Sequence, residues 1–85
     1  MDWSKYSFVI RAKNRKLILL SLSKPKTPTQ LAKELNLSLP HVSRALKELE
    51  KEGLITCLTP NEKVGRIYKR TTIGEEIANF IEKGD

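Results

Sequence analysis

Apolar residues recur along this chain with two spacings, and the change from one to the other marks out its elements. Val42, Leu46 and Leu49 fall at i, i+4 and i+7 with the small Ala45 among them, which predicts a helix over 39–52 with one apolar stripe. At about 100° per residue from Val42, the positions Pro40, Ser43, Arg44, Lys47 and Lys51 come out on its polar side. Leu31, Ala32 and Leu35 make a shorter stripe and predict a helix over 28–35. Its start is clearly marked: Thr27 stands as N-cap, Pro28 takes the first helical position, and Gln30 completes a capping box. Asn36 tolerates left-handed backbone and ends this helix. Leu37 plugs the angle that follows, and Ser38 caps the next helix, whose Leu39-Pro40 opening suits a first turn without helical amide partners.

Past Gly53, a residue suited to the positive φ of a helix end, the pattern becomes that of strands. Leu54 to Leu58 is apolar and β-branched, residues 59–65 contain Pro60, Asn61 and Gly65, and residues 66–71 alternate polar with apolar. This predicts a β-hairpin over 54–71. Thr72 and Glu75 have the spacing of a second capping box, and Ile73, Ile77, Phe80 and Ile81 predict a last helix over 73–83. Upstream, Leu17, Ile18, Leu19, Leu20 and Leu22 exceed what one stripe requires, so a helix over 13–23 should be covered on more than one side. The segment 1–12, with Trp3, Tyr6, Phe8, Val9 and Ile10, is expected to fold over that helix or to meet a partner subunit. No conformation is assigned to it.

Two short helices joined by a tight turn are the layout of a helix-turn-helix, and a hairpin directly after the second helix is the wing of a winged helix. The fold expected is mainly α with a small β-hairpin, in a single domain over 13–83. The 85 residues leave room for one small core, and no repeat or low-complexity segment interrupts it.

Charge gives this fold a direction. The formal net charge of +6 is unevenly spread: seven basic residues face one acidic residue in 1–26, four face four in 27–53, four face one in 54–71, and one faces four in 72–85. Cations on both sides of the second helix would attract phosphate in a salt-dependent, sequence-independent way; the bland alternative is a solubilising lysine coat. Within that helix Glu48, Glu50 and Glu52 lie in the last turns, whereas Ser38, Pro40, His41, Ser43 and Arg44 occupy the half that meets base edges in a recognition helix. Lys63 and Arg66 lie in the wing, where a DNA backbone or minor groove would run. The lesser alternative for Arg66, which does not exclude the first, is a salt bridge to a glutamate of the preceding helix that braces the hairpin.

Other chemistry finds little support. Cys57 has no intrachain disulfide partner and reads as a small buried hydrophobe, with an intermolecular redox disulfide as the alternative. His41 alone cannot build a metal site, and no nucleophile or acid–base pair stands out, so neither a cofactor nor catalysis is expected. No signal peptide and no membrane-length apolar run is present, which leads us to expect a cytoplasmic protein without a membrane partner. The terminal helices could simply close the core. Alternatively Trp3, Tyr6, Leu19, Ile77, Phe80 and Ile81 could form an isologous homodimer interface, as in DNA-binding domains that match palindromic half-sites.

Four blocks resemble, in order and spacing, the winged-helix transcriptional regulators of the MarR and ArsR type, most closely small archaeal-looking members. They are Leu31 to Leu35, Ser38 to Leu49, Glu52 to Ile55, and Gly65 to Gly74. The similarity covers roughly residues 13–83. The resemblance implies that Ser38, Pro40, His41, Ser43, Arg44 and Lys47 face double-stranded DNA and that Arg66 serves the wing. It lacks two family features: the long flanking helices of larger MarR-type proteins, and the cysteine and histidine clusters of metal-sensing ArsR-type proteins. The function expected is that of a sequence-specific DNA-binding transcriptional regulator. The alternatives are a winged helix used for protein interaction or assembly, or a non-specific architectural DNA binder. RNA binding ranks below these because stacking aromatics are missing from the basic segments.

Overall fold

The computed structural model describes residues 1–84, which form, in order, α1 Trp3–Ile10, α2 Lys13–Ser21, α3 Pro28–Leu35, α4 Leu39–Lys51, β1 Ile55–Cys57, β2 Tyr68–Arg70 and α5 Thr72–Gly84. Local chemistry sets the helix-turn-helix. The Thr27 side chain accepts from the Gln30 amide at 3.2 Å while the Gln30 side chain accepts from the Thr27 amide at 2.8 Å, closing a reciprocal capping box. Asn36 ends α3 in left-handed backbone at φ 54° and ψ 46°. Ser38 then caps α4, its hydroxyl accepting from the His41 amide at 3.4 Å.

The wing is antiparallel, with Ile55 opposite Arg70, Thr56 opposite Lys69 and Cys57 opposite Tyr68. Backbone bonds from Thr71 N–H to Leu54 O at 3.1 Å and from Leu58 N–H to Ile67 O at 2.7 Å carry the pairing one residue further at each end. Arg66 therefore lies beyond the ladder, in the loop. Lys26 bridges β2 on its other edge through two backbone bonds with Tyr68, of 3.1 and 2.9 Å. That single-residue bridge ties the entrance of α3 to the wing, and no alternating pattern in the sequence announces it.

One core joins all five helices to the hairpin. Val9, Ile18, Leu19, Leu22, Leu31, Val42, Leu46, Leu49, Leu54, Ile55, Ile77 and Ile81 are all buried, with Ala45 and Ala78 small at close crossings and Tyr68 at the wing. Leu19 and Ile77 are fully enclosed and Ile81 is 5% exposed, so these three are core residues of one subunit and have no surface to offer a second. Of the proposed dimer residues only Trp3 and Phe80 are exposed, with Tyr6 half-buried between them. Their rings meet edge to face at centroid distances of 5.3–5.7 Å.

Two further points concern the ends of the chain, the first left open by the sequence and the second different from expectation. Residues 1–12 are largely helical: the Asp2 carboxylate caps α1, accepting from the Lys5 amide at 3.1 Å, and Val9 is enclosed in the core. The cap of α5 is Thr71, one residue before the expected Thr72. Its hydroxyl accepts from the Gly74 amide at 3.2 Å and donates to the Gly53 carbonyl at 2.6 Å. Glu75, expected to close a capping box, instead pairs with the buried Arg70, Nε to Oε1 at 2.6 Å. With Thr71 as the cap, the third helical position is Gly74, which has no side chain to close a box, and Glu75 one residue on faces the buried guanidinium instead.

Candidate nucleic-acid interface

Helix α4 stands between two grooves. Toward the wing, a groove of about 440 Å³ is bounded by the start of α3, by α4 and by the wing loop, and it gathers Ser43, Lys47, Lys63 and Arg66. Leu39 and Val64, 47% and 86% exposed, form an apolar lip, and Glu50 is the acidic member. On the other flank, a groove of about 400 Å³ between α4 and the start of α2 collects His41 and Arg44 together with Lys13, Arg15 and Glu48. Thus six of the eight residues named from sequence line one groove or the other. Pro40 lies exposed at the start of α4, and Ser38 is engaged as its cap.

The glutamates of α4 are largely spoken for from behind. Lys5 of α1 donates to the Glu52 carbonyl at 2.6 Å and pairs with its carboxylate at 3.4 Å. Arg15 of α2 pairs with Glu48 at 3.1 Å, donates to the Phe8 carbonyl at 2.9 Å and lies 3.8 Å over the Phe8 ring. The helix that is electrically balanced in sequence therefore keeps two exposed cations unpaired among the described residues, Arg44 near its middle and Lys47 about one turn later. The same contacts divide the basic N-terminal segment. Lys5, Arg15 and Lys26 serve ion pairs, whereas Arg11, Lys13 and Lys24 are exposed with no such partner among the described residues.

Arg66 does not pair with a carboxylate of the preceding helix among the described residues. Its guanidinium sits 5.8 Å from the Tyr68 ring centroid, with Cys57 beside it. The Cys57 side chain first, and then Tyr68, raise its pKa above the ordinary arginine value, so it remains a cation. The Tyr68 hydroxyl is pushed up chiefly by burial and stays neutral. Cys57 is half-buried, with Sγ 3.9 Å from the Thr59 hydroxyl. Among the described residues no cluster of His, Cys, Asp or Glu is placed to hold a metal ion, and no helix is long and apolar enough to cross a membrane.

A capped two-helix unit, a protruding second helix and a hairpin behind it define a winged helix-turn-helix protein. The MarR family profile matches residues 13–62, and the chain belongs to the MarR family. Among solved structures it is similar to a MarR family transcription regulator at 28% identity and TM-score 0.78, covering 95% of this chain and 58% of that one. The reduced form of MarR from E. coli matches at 28% identity and TM-score 0.77, covering 93% of this chain and 61% of that protein. The adhesin competence repressor of Streptococcus pyogenes matches at 27% and 0.77, covering 86% and 55%. The chain thus spans somewhat under two thirds of the length of these relatives. Comparison with curated sequences gives no match.

Proposed function

We propose that this protein is a sequence-specific, double-stranded DNA-binding transcriptional regulator. Helix α4 enters the major groove and the wing lies on the backbone or in the minor groove. The observation that carries this reading is the exposed N-terminal half of α4. It presents Pro40, His41 and Arg44, with Lys47 about one turn further on, while the acidic residues Glu48 and Glu52 are held by α1 and α2. Arg44 and Ser43 read base edges, and Lys47, Lys63 and Arg66 hold phosphate or the minor groove, so that base contacts specify and phosphate contacts position. Family membership supports the reading, since the matched solved proteins include transcription regulators and a repressor. The chemistry is binding, not catalysis. Selection of bound sites from a random duplex pool tests it: an enriched consensus is the expected result, and failure to enrich any sequence overturns specific recognition.

The regulator acts as a homodimer in this reading, with Trp3, Tyr6 and Phe80 as the self-complementary patch. A palindromic consensus and a dimer mass in sedimentation are expected. A monomer mass at micromolar concentration, together with an asymmetric consensus, removes the dimer.

A further inference from the structure

We propose that Lys13, at the junction of α1 and α2 with Arg11 two residues before it adding to the charge, holds the DNA backbone on the side of α4 away from the wing, so that the recognition helix is gripped on both rims of the major groove. This rests on the DNA-binding reading above and assigns a contact surface beyond the helix-turn-helix and the wing.

The side chains of Arg11 and Lys13 are exposed and have no ion-pair or hydrogen-bond partner among the described residues, although Lys5 and Arg15 close by are both committed to glutamates. Unpaired cations two residues apart repel one another and gain nothing structural from the fold. Their placement is what matters. Lys13 lines the roughly 400 Å³ groove that separates α2 from α4, and the opposite wall carries His41 and Arg44 from the N-terminal half of α4. The one acidic residue lining it, Glu48, is already neutralised by Arg15 at 3.1 Å, so the open charge of the groove is positive.

The wing groove has matching character on the other flank, with Lys47, Lys63 and Arg66. A major groove about 12 Å wide has a phosphate rim on each side, so a helix lying in it meets both. The wing supplies cations for one rim; the junction of α1 and α2 supplies them for the other.

The test uses the full chain with two duplexes, the selected site and a random sequence, titrated over a range of salt. Lys13→Ala should weaken both by about 8-fold at 0.1 M salt, the value of one released counterion, and lower the salt slope by about 1. Lys13→Arg should restore both. Arg11→Ala/Lys13→Ala should lose more and flatten the slope further. Lys24→Ala removes an exposed cation near the other end of α2, roughly 12 Å away along its axis, and should leave affinity within about 2-fold. Thermal melting of each variant confirms that the exposed substitutions leave the fold intact. If Lys13→Ala binds like the parent while Lys63→Ala is weakened, the second rim contact is wrong and DNA binding by the wing stands. If Lys24→Ala loses as much as Lys13→Ala, the effect is general charge and the placement is overturned. If the parent chain binds no duplex at all, the DNA-binding reading fails, and this inference with it.

Discussion

The Lys5 ammonium lies 2.6 Å from the carbonyl oxygen of Glu52, where α4 ends, and 3.4 Å from the carboxylate of the same residue. A cation at a helix C-terminus meets the negative end of the helix dipole as well as its formal partner. With Arg15 on Glu48 one turn earlier, it straps α4 to α1 and α2 from behind. Lys5→Ala should cost about 0.5–1 kcal/mol, small because both side chains remain partly solvated. Urea denaturation measures it, and Lys5→Arg should recover most of the loss. A loss above about 2 kcal/mol would mean that the strap matters more than a surface pair does.

Leu46 sits on the inner face of α4 at 2% exposure, beneath the residues proposed to touch DNA. Leu46→Ala should destabilise the fold by roughly 2–5 kcal/mol through lost burial and the cavity left behind. DNA affinity should fall only in proportion to the unfolded fraction. Measuring binding at a temperature where the variant is fully folded separates the two, and a large residual loss there would place Leu46 in the interface.

How much of this was legible beforehand depends on how local the signal is. Thr27, Gln30, Asn36 and Ser38 act within a few residues of themselves, and the sequence displays them directly. The apolar stripe of α4 is equally plain, since Val42, Ala45, Leu46 and Leu49 are all buried. The helix α1 was open to the same reading, because Asp2 caps it and Trp3 and Tyr6 share a face, but eight residues make a weak periodic signal. Pairings across the chain leave no such trace. Nothing in the sequence says that Lys5 will meet Glu52, that Arg15 will meet Glu48, or that Arg70 will meet Glu75. Those pairings decide which cations remain free for an anionic partner, so the α4 surface was legible and the second groove was not.

Gly74 is buried, and a Cβ placed there would lie 1.9 Å from the Leu54 carbonyl oxygen. Helix α5 approaches the start of the wing so closely that no side chain fits between them. Gly74→Ala should therefore push α5 off the hairpin and cost about 1–3 kcal/mol or more, although alanine is the better helix former. A thermal melt reads the cost directly. An unchanged or raised midpoint would show that the two elements separate easily.

Tyr68 is 7% exposed, and burial raises its hydroxyl pKa above the ordinary value. The folded chain then keeps a proton that the unfolded chain releases. Its contribution to stability is fully present below about pH 10 and is lost as the pH rises through the folded value. Unfolding free energy measured from pH 8 upward should decline beyond about pH 10, and Tyr68→Phe should flatten that decline relative to the parent. Equal slopes in the two proteins would assign alkaline unfolding to other groups.

Arg44 and Lys63 stand on different surfaces and should fail differently. Arg44 is exposed in the middle of the polar face of α4, where a guanidinium can form two hydrogen bonds to a guanine edge. Arg44→Ala should cost on the order of 1–3 kcal/mol on the selected site and much less on random DNA, narrowing the gap between them. Lys63 lies in the exposed wing loop, where the proposed duplex would offer it phosphate or minor groove. Lys63→Ala should weaken every sequence alike and lower the salt slope by about 1. Binding isotherms on both duplexes at several salt concentrations distinguish the two patterns. If Arg44→Ala behaves like Lys63→Ala, Arg44 is a backbone contact and specificity must come from elsewhere on α4, with Ser43 and Lys47 the next positions to substitute. If neither variant loses affinity, DNA does not lie along α4.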